Sequence, residues 1–429
     1  MSKGSEHTAH LDHGMVWHWW IVRLIMGLES FIAYVLGRVF FSIGRTERKL
    51  IALRAMETIL VVRLDGVGDL VSTSGFLKAL RDLYPNARIV LVVKKELALL
   101  VELCPYVDEI RSFNAHSLRL MQPISVPVRA LLFARRFIAP DNFDLAINPR
   151  WDTDGHYAGF LTYFSGALQR LAYSEQVNVR KKCFNRGFDR LYTTLLENRE
   201  PKHEFERNLD LIRFLGGDSK PCSSEVWLSS EDAKFAETVC SSARKQFLVA
   251  IAPGGGHPRR IWPLEAFARV GESMKQHRDV GIILLGSKQE TKICNVLEGS
   301  LASGVLNMAG RTTLRQAAAI ISRCVIFIGN DSGLMHIAAA VGTPVVELSC
   351  HPLSGSETDV ASPVRFGPWN VRKVILQPMG PTAPCVDRCE ASIAHCIKAI
   401  SVDQVLSAID SLWSEDPKSS SSRAPRTEE

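Results

Sequence analysis

The stretch TILVVRLDGVGDLVSTSGFLKALRDLYPNARIVLVV, residues 58–93, decides the fold. It opens with a β-branched run that predicts a short buried strand, and a glycine-containing turn over 64–69 leads into a helical pattern over 70–84. Pro85 ends the helix, and the run ARIVLVV at 87–93 predicts a second buried strand. A strand, a helix and a strand in this order are the opening of a parallel α/β sheet.

The same alternation of strands and helices continues along the chain. Further strands are predicted at 144–148 and, beyond a polar stretch near 217–245, at 247–253, 280–286, 325–330 and 344–348. We therefore expect two parallel-sheet domains, at 56–225 and 226–400, followed by a helix at 401–414 and a disordered tail at 415–429. Because ligands of open parallel sheets bind beyond the carboxyl ends of the strands, the active site is expected in a cleft between the two domains.

Length and composition exclude several classes of protein. With 429 residues, 46% of them hydrophobic and 22% charged, the chain is too long for a small disulfide-stapled scaffold and too apolar for a disordered protein. The net charge of +6 suits an anionic substrate or a membrane surface better than nucleic acid. The ten cysteines form no dense framework and the first residues lack a secretory signal, which predicts a cytoplasmic protein.

The N-terminal extension, residues 1–55, is strongly hydrophobic over 16–41 and basic after that. Arg23, Glu29 and Arg38 divide the apolar segment, and each charge costs about 2.5–3.5 kcal/mol at the centre of a bilayer, which argues against a transmembrane helix. Two alternatives stay open. The segment is a helix lying in the inner leaflet of the inner membrane, with its tryptophans at headgroup level, or a helix packed on the protein's own body or on a partner.

The turn RLDGVGDLVSTSG, residues 63–75, is the first motif that could carry chemistry. Gly66 and Gly68 allow a tight turn and the close approach of a ligand to the backbone. The turn lacks both the G-x-G-x-x-G pattern of dinucleotide sites and the G-x-x-x-x-G-K-[ST] pattern of P-loop kinases. Asp69 either caps the following helix or accepts a proton from a substrate hydroxyl, and the same two alternatives apply to Asp65.

The second motif is GNDSGLMHIAAAVGTPVVEL, residues 329–348, in which a strand ends and a helix begins. The first amides of the helix belong to Ser332, Gly333 and Leu334. Such amides and the helix dipole form an anion site that suits a diphosphate. His336 could donate a hydrogen bond to a phosphate or be a satisfied structural histidine, and Asp331 could cap the helix or bond a sugar hydroxyl.

The third motif is the loop APGGGHPRRIWP, residues 252–263, whose composition suits contact with phosphate. Gly255 and Gly256 supply flexibility, and Arg260 could neutralise charge on a leaving diphosphate or be a solvated surface group. Glu290, which follows another strand, could accept hydrogen bonds from a ribose or supply charge at a helix start.

Two further groups of residues resemble metal ligands, and neither predicts a metal site. The D-x-D in WDTD, residues 151–154, is a loop in which acidic residues are usually solvated. Cys385, Cys389 and Cys396, with His395, resemble metal-ligand chemistry in composition only, because C-x3-C-x6-C is not a standard zinc spacing. No metal and no cofactor are therefore expected.

Taken together, the motifs resemble glycosyltransferase family 9, the group that contains the ADP-heptose:lipopolysaccharide heptosyltransferases. The resemblance covers roughly residues 57–410 and is carried, in the family's order, by ILVVRLDGVGDLVSTSGFLKALRDLYPNARI, CPYVDEI, HEFERNLDLIRFLG, RRIWPLEAFA, NMAGRTTLRQAAAII and GNDSGLMHIAAAVGTPVV. It implies a GT-B fold of two Rossmann-like domains facing a central cleft, with the acceptor in the first domain and the nucleotide-sugar donor in the second.

The resemblance also implies roles for individual residues. Asp69 matches the family's catalytic base, Arg260 a basic residue that contacts the donor phosphates, and Glu290 an acidic residue near the nucleoside. The family's donor-binding motif D-[ST]-G-x-x-H falls on Asp331, Ser332, Gly333 and His336. Leu334 lies within that motif, and Gly66, Gly68, Gly255 and Gly256 complete the expected acceptor and phosphate loops.

These roles imply an inverting glycosyltransferase that works without a bound metal. The expected donor is an ADP-linked, heptose-like sugar, and the expected acceptor is a hydroxyl of a lipopolysaccharide core or a related glycan at the inner face of the inner membrane. Two alternatives of other classes stay open. They are a nucleotide-dependent oxidoreductase on paired Rossmann-like domains and a catalytically silent scaffold at a membrane surface.

Overall fold

The computed structural model describes residues 27–39, 56–114, 122–218, 222–301 and 303–414. The strands are β1 (Thr58–Arg63), β2 (Arg88–Lys94), β3 (Glu109–Phe113), β4 (Leu145–Asn148), β5 (Gln169–Tyr173), β6 (Thr194–Leu196), β7 (Phe247–Ala252), β8 (Val280–Leu284), β9 (Val305–Asn307), β10 (Ile326–Asn330), β11 (Val345–Leu348) and β12 (Lys373–Leu376). The helices are α1 (residues 27–39), α2 (Val67–Val71), α3 (Ser74–Leu83), α4 (Ala98–Val101), α5 (Gln122–Phe137), α6 (Ala158–Phe164), α7 (Val179–Phe184), α8 (Glu204–Phe214), α9 (Ser230–Ser242), α10 (Leu264–His277), α11 (Thr291–Ser300), α12 (Leu314–Ile321), α13 (Gly333–Ala340), α14 (Pro363–Phe366) and α15 (Val402–Ser414).

The described residues form two compact units whose members alternate along the chain. The first unit is drawn from Met1–Leu64, Tyr84–Lys95 and Asp108–Arg199, and the second from Asp65–Leu83, Glu96–Val107 and Glu200–Glu429. Strands β1–β6 belong to the first unit and β7–β12 to the second, which also takes α2, α3 and α4. The sequence-based ranges 56–225 and 226–400 stay a prediction, and the predicted tail at 415–429 lies outside the described residues.

The sheet of the first unit has six parallel strands in the order β3-β2-β1-β4-β5-β6. Its central strand β1 is buried from its second residue to its last, and Ile59 pairs with Ile89 on one side and Leu145 on the other. An apolar run without alternation is what a strand covered on both faces requires. The first strand of the predicted α/β unit, β1, therefore lies at the centre of this sheet.

The sheet of the second unit repeats this design. Its order is β12-β11-β10-β7-β8-β9, and all its strands are again parallel. When its strands are numbered from β7 and the sheet is read from the β9 edge, the order is the same as in the first sheet. This 3-2-1-4-5-6 order is that of Rossmann domains. The expected α/β fold with two parallel sheets is confirmed.

The single helix predicted over 70–84 is divided into α2 and α3. Thr73 donates a hydrogen bond from Oγ1 to the carbonyl of Asp69 at 2.7 Å, and Ser74 donates one from Oγ to the carbonyl of Val71 at 2.7 Å. Hydroxyl side chains that bond to nearby backbone compete with regular helical hydrogen bonds. The break therefore follows from the STS triplet at 72–74, which the helical periodicity does not reveal.

Sequence periodicity also missed several strands at the edges of the sheets. The missed edge strands are β3, β6, β9 and β12, and their residues are mostly half-buried rather than buried. A strand at a sheet edge has one neighbour and less cover, so its apolar pattern is weaker. The predicted central strands have both faces buried, but β5, which lies between β4 and β6 and is also buried throughout, was missed as well.

Helix α1 combines features of the two alternatives for the N-terminal segment. One face is buried and carries Glu29. Burial of the carboxyl group raises the pKa of Glu29 to about 7, although a hydrogen bond from the Tyr157 hydroxyl acts to lower it. The opposite face exposes Leu28, Phe31 and Val35, each at least 41% accessible. In the part of the chain that the structure describes, no helix is long and apolar enough to span a membrane.

Candidate active site

Two helix starts of the second unit, those of α2 and α13, pack directly against each other. A side chain at Gly68 would collide with the imidazole of His336, and a Cβ at Gly333 would lie 2.6 Å from the Cβ of Val67. Only glycine permits this approach at both positions. The junction unites the first two sequence motifs, although more than 250 residues of chain separate them.

His336 is buried at this junction, and its pKa is lowered chiefly because burial disfavours the charged imidazolium. The negative charges of Asp331 and Asp69 oppose that shift, while Arg260 adds to it. The ring is therefore neutral at pH 7 and can donate one N–H. Its surroundings place it among the three charged residues that the sequence motifs singled out.

Asp69 is the third residue of α2, and its carboxylate accepts a hydrogen bond from the Gly66 amide at 3.2 Å. The interpretation of Asp69 as a capping residue is therefore correct, but Asp69 caps the helix from its third position and not from the N-cap position, which Gly66 occupies. The side chain is half-buried. A half-buried carboxylate at the end of a strand-to-helix turn meets the positional requirement for a general base, which stays a prediction.

Arg260 and Asp331 form an ion pair, with Nη1 and Oδ2 2.9 Å apart. The guanidinium also donates from Nη2 to the carbonyl of Val360 at 3.5 Å, and its side chain is 21% accessible. Arg260 is thus not a solvated surface group. Its Nε is buried without a hydrogen-bond partner among the described residues, so the guanidinium keeps donor capacity for a ligand.

Glu347 in β11 affects the charge around this ion pair. Burial raises its pKa well above the usual range, and the nearby Asp331 raises it further, whereas Lys373 and Arg260 lower it. Burial and the charge of Asp331 both favour the protonated, uncharged form of this carboxyl group. The shift therefore weakens the competition of Glu347 with Asp331 for the guanidinium of Arg260.

Asn330 is a positioning residue that sequence reasoning missed. Its fully buried side-chain amide donates from Nδ2 to the carbonyls of Pro253 and Gly254, both at 2.9 Å, and its Oδ1 accepts from the Trp262 amide at 3.1 Å. The end of β10 is thereby tied to both sides of the loop that carries Arg260. The available signal was a polar residue that closes an apolar strand directly before Asp331.

Glu290 lies against the glycine loop. Its Oε2 accepts a hydrogen bond from the Ser287 amide at 2.6 Å, and its other carboxylate oxygen occupies the space that a side chain at Gly254 would need. The carboxylate therefore does supply charge at a helix start, as one of the two alternatives held. It also explains why the loop has glycine at 254, since any larger residue would displace Glu290.

A cavity of about 1030 Å³ lies in the second unit beside these residues. Its wall contains the predicted residues Gly255, Gly256, Glu290, Ser332, Gly333 and Leu334. It also contains residues with no predicted role, namely Leu99, Leu100, Leu285, Lys288, Ile293, Thr312, Thr313 and Leu314. Asp69, Arg260 and Asp331 do not line it, but their chain neighbours Val67, Ile261 and Ser332 do. The cavity size is that of sites for small organic ligands.

The start of α13 opens into this cavity with unused hydrogen-bonding groups. Ser332 is the extended residue before the helix, its side chain makes no capping bond, and its Oγ is buried without a partner among the residues described. The first amides of a helix have no acceptor within the helix. A buried hydroxyl and free amides at a helix start favour an anionic ligand.

The HEFERNLD segment, residues 203–210, positions the elements that carry the site. Glu204 and Arg365 form a buried ion pair, with Oε1 and Nη2 2.6 Å apart, and the Asn208 side-chain amide donates to the carbonyl of Ser72 at 2.9 Å. Since Ser72 lies between α2 and α3, this bond anchors the helix that carries Asp69. The segment positions the site and does not line the cavity.

The D-x-D of WDTD is used structurally. Asp154 accepts hydrogen bonds from the amides of Ala158 and Gly159, at 3.1 and 2.7 Å, and so caps α6. Asp152 accepts from the Thr153 amide at 2.7 Å. Both carboxylates are buried, so the expectation that they would be solvated was wrong, while backbone amides account for the oxygens that a cation would otherwise need.

Comparison with known proteins agrees with this geometry. A family model described as glycosyltransferase family 9 (heptosyltransferase) matches residues 181–393. The lipopolysaccharide core heptosyltransferase OpsX of Haemophilus influenzae is 23% identical over 74% of this chain and 83% of its own length. Lipopolysaccharide heptosyltransferase 3 of Escherichia coli K12 is 24% identical over 66% of this chain and 79% of its own length.

Solved structures share the fold. The glycosyltransferase family 9 protein of Veillonella parvula superposes with a TM-score of 0.69 at 20% identity, over 84% of this chain and 98% of its own. The E. coli ADP-heptose lipopolysaccharide heptosyltransferase II superposes with a TM-score of 0.62 at 19% identity, over 83% of this chain and 98% of its own.

The fold and site define a glycosyltransferase of the GT-B class. Two parallel sheets of Rossmann order are present, a helix start and an arginine lie beside a large cavity, and the first βα turn lacks the dinucleotide fingerprint. The chain is similar to glycosyltransferase family 9, whose model matches residues 181–393.

Proposed function

We propose that this enzyme transfers a heptose from ADP-heptose to a hydroxyl of a lipopolysaccharide core, with inversion at the anomeric carbon. The observation that carries the proposal is the start of α13, where the unpartnered Ser332 hydroxyl and free amides meet the cavity beside Arg260. The choice of sugar and acceptor is supported by the relatives, which are named lipopolysaccharide heptosyltransferases.

The donor diphosphate is proposed to lie at the α13 start. The amides of Gly333 and Leu334 would bind phosphate oxygens, and Arg260 would share its charge between Asp331 and the diphosphate. As the bond to the sugar breaks, negative charge accumulates on the leaving diphosphate. Donors already in place stabilise that charge without reorganisation, which is the physical basis of their rate effect.

The nucleoside is proposed to occupy the cavity. Apolar side chains of Leu99, Leu285 and Ile293 offer surfaces for a planar base, and Glu290 can accept hydrogen bonds from ribose hydroxyls. The acceptor is proposed to approach Asp69, which removes its hydroxyl proton as the oxygen attacks the anomeric carbon. Attack opposite the departing diphosphate inverts that carbon in one displacement.

A donor panel tests this function. ADP, UDP, GDP, CMP and NAD are titrated into the protein by calorimetry, and ADP-heptose is then offered with a lipid A–core acceptor. We expect ADP to bind at least about tenfold tighter than the others, equivalent to about 1.4 kcal/mol, because one base fits the cavity wall best. Heptose transfer should be detected by mass spectrometry of the acceptor.

The same panel separates the alternatives. Hydride transfer to or from NAD would revive the oxidoreductase, and binding of ADP without transfer from any sugar donor would favour the silent scaffold. Transfer from a different ADP-sugar would keep the enzyme class and replace heptose. Boiled protein and the acceptor alone serve as controls for chemical breakdown of the donor.

We further propose that the enzyme acts peripherally at the cytoplasmic face of the inner membrane and that α1 contacts lipid there. The apolar side chains Leu28, Phe31, Val35 and Val39 recur at helical spacing on its exposed face. The buried face of α1, with Glu29 and Ala33, holds the helix on the first unit. A helix fixed by one apolar face can insert the other at the lipid headgroup boundary.

Vesicle flotation tests the lipid contact. Replacing Leu28, Phe31, Val35 and Val39 by serine should reduce binding to phosphatidylethanolamine–phosphatidylglycerol vesicles more than about tenfold, because each fully buried apolar side chain contributes about 1.5–3 kcal/mol. Val296→Ser with Phe214→Ser, which removes similarly exposed apolar groups from the second unit, is the matched control. Equal flotation of the α1 variant and wild type would refute the contact.

A further inference from the structure

The segment between β12 and α15 is a long connection with little regular structure. From residue 377 to 401 it contains one short 3₁₀ turn, Cys396–Ala399, and it is otherwise irregular. Irregular loops longer than about 12–15 residues are uncommon inside compact domains unless something else orders them. This segment nevertheless contributes Cys389, Cys396 and Ile397 to the core of the second unit.

Four potential metal ligands of this segment converge at one point. The sulfur atoms of Cys385, Cys389 and Cys396 and a ring nitrogen of His395 all lie within 4.8 Å of one another. His395 Nδ1 is 3.7 Å from the Cys385 sulfur and 3.5 Å from the Cys396 sulfur. The four side chains are buried or half-buried.

These separations fit a tetrahedral metal site. Zinc binds sulfur at about 2.3 Å and imidazole nitrogen at about 2.0–2.1 Å, so neighbouring ligand atoms in a tetrahedron are about 3.5–3.8 Å apart. The observed sulfur–nitrogen distances fall in that range. All three cysteines are free thiols, so a disulfide does not account for their convergence.

The surroundings suit a thiolate ligand. The amide of Glu390 donates to the Cys385 sulfur at 3.4 Å, which stabilises negative charge on that atom. The C-x3-C of Cys385 and Cys389 is itself a chelating spacing. Sequence reasoning set the group aside because C-x3-C-x6-C is not a standard zinc spacing, and only the fold brings His395 and Cys396 to the same point as Cys385 and Cys389.

We propose that Cys385, Cys389, His395 and Cys396 bind one structural metal ion, with zinc as the ion that three thiolates and one imidazole favour. Closed Cys3His sites of this kind are structural and leave no position for substrate. The ion would order the β12–α15 segment, which lacks the backbone hydrogen bonds of regular structure. It takes no part in the transfer step.

The proposed metal site is connected to the donor-binding loop. Arg388, between two of the ligands, forms an ion pair with Asp359 at 3.3 Å, and the next residue, Val360, accepts a hydrogen bond from Arg260. The carbonyl of Ile400 accepts from the Trp262 indole at 3.0 Å. Loss of the metal should therefore weaken donor binding through Arg260 and leave the chemistry at Asp69 intact.

Metal analysis of the whole protein, purified without a metal-binding tag, tests the proposal. We expect about one zinc per chain by mass spectrometry of the digested protein, and a Co²⁺-substituted form should show the intense visible bands of tetrahedral cobalt with thiolate charge-transfer bands. Cys385→Ser and His395→Ala should each lower the metal content several-fold. Cys183→Ser and Cys240→Ser, half-buried thiols outside the cluster, should not.

The outcomes decide the proposal independently of transferase activity. Iron in place of zinc at the same stoichiometry would support the site and change the ion. Wild-type protein that contains no metal and takes up no Zn²⁺ or Co²⁺ at micromolar concentration would refute it. Because these readouts use wild-type protein, misfolding of the variants cannot hide the answer.

Discussion

Asp69→Asn should lower kcat by about 10²–10⁴-fold, the range that a general base contributes, while ADP binding stays within about twofold of wild type. An asparagine side chain keeps an oxygen that can accept the Gly66 amide, so the start of α2 is preserved. It cannot take the proton of an acceptor hydroxyl. Single-turnover transfer and calorimetric titration of ADP, performed on the same preparation, separate these two effects.

A matched control distinguishes catalysis from capping. Asp232 occupies the same third helical position in α9 and accepts the Ser229 amide at 3.0 Å, so Asp232→Asn makes the same chemical change at a helix start outside the site, with the added loss of an ion pair to Arg315 at 3.1 Å. We expect that variant to transfer sugar at the wild-type rate. If Asp69→Asn and Asp232→Asn behave alike, or if Asp69→Asn loses ADP binding together with activity, Asp69 is structural.

Arg260→Ala should reduce kcat/KM for the donor by about 10²–10³-fold, corresponding to about 2.7–4 kcal/mol for one preorganised donor. Two effects add. The variant removes a cation beside the proposed diphosphate, and it leaves Asp331, whose side chain is only 9% accessible, without its ion-pair partner at the start of α13. An unpaired carboxylate at that position repels the donor.

The neighbouring arginine provides the control. Arg259 is in the same 3₁₀ turn and is half-buried, so Arg259→Ala removes an equal charge from the loop, and it should change kcat/KM by less than about threefold if the effect of Arg260 is local. Adding Asp331→Asn to Arg260→Ala should recover part of the lost ADP affinity, because it removes the repulsive charge. Equal effects of both arginine variants would mean that the loop acts through its net charge only.

Local sequence pattern was sufficient for most central strands, β5 excepted, and for the starts of α13 and α15. β1, β2 and β10 are runs of buried residues between turn-forming residues, and α13 begins at Gly333 as the GNDSG motif indicates. α15 begins where a serine cap was expected, with Ser401 Oγ accepting the Gln404 amide at 3.2 Å. Such features depend on residues a few positions apart, so they can be read from the chain alone.

Most residues of the proposed site were singled out from the sequence, but their partners in the fold were not. Asp331 was expected to cap a helix or bond a sugar, and its ion pair with Arg260 was not foreseen. Glu290 was placed near the nucleoside without its contact to Gly254. Asn330 was read only as the end of a strand, although it joins β10 to the loop on either side of Arg260. Each of these contacts joins segments more than 30 residues apart.

The sequence by itself therefore determined the two parallel α/β sheets, the resemblance to glycosyltransferase family 9 and the identity of the charged residues at the helix starts. Only the tertiary structure decided that Gly68 lies against His336, that a cavity opens beside Ser332, and that three cysteines and His395 converge. The physical reason is the distance along the chain over which each interaction acts. Hydrophobic periodicity and capping act over one or two turns of chain, whereas close packing, ion pairing and ligand convergence depend on how distant segments meet in space.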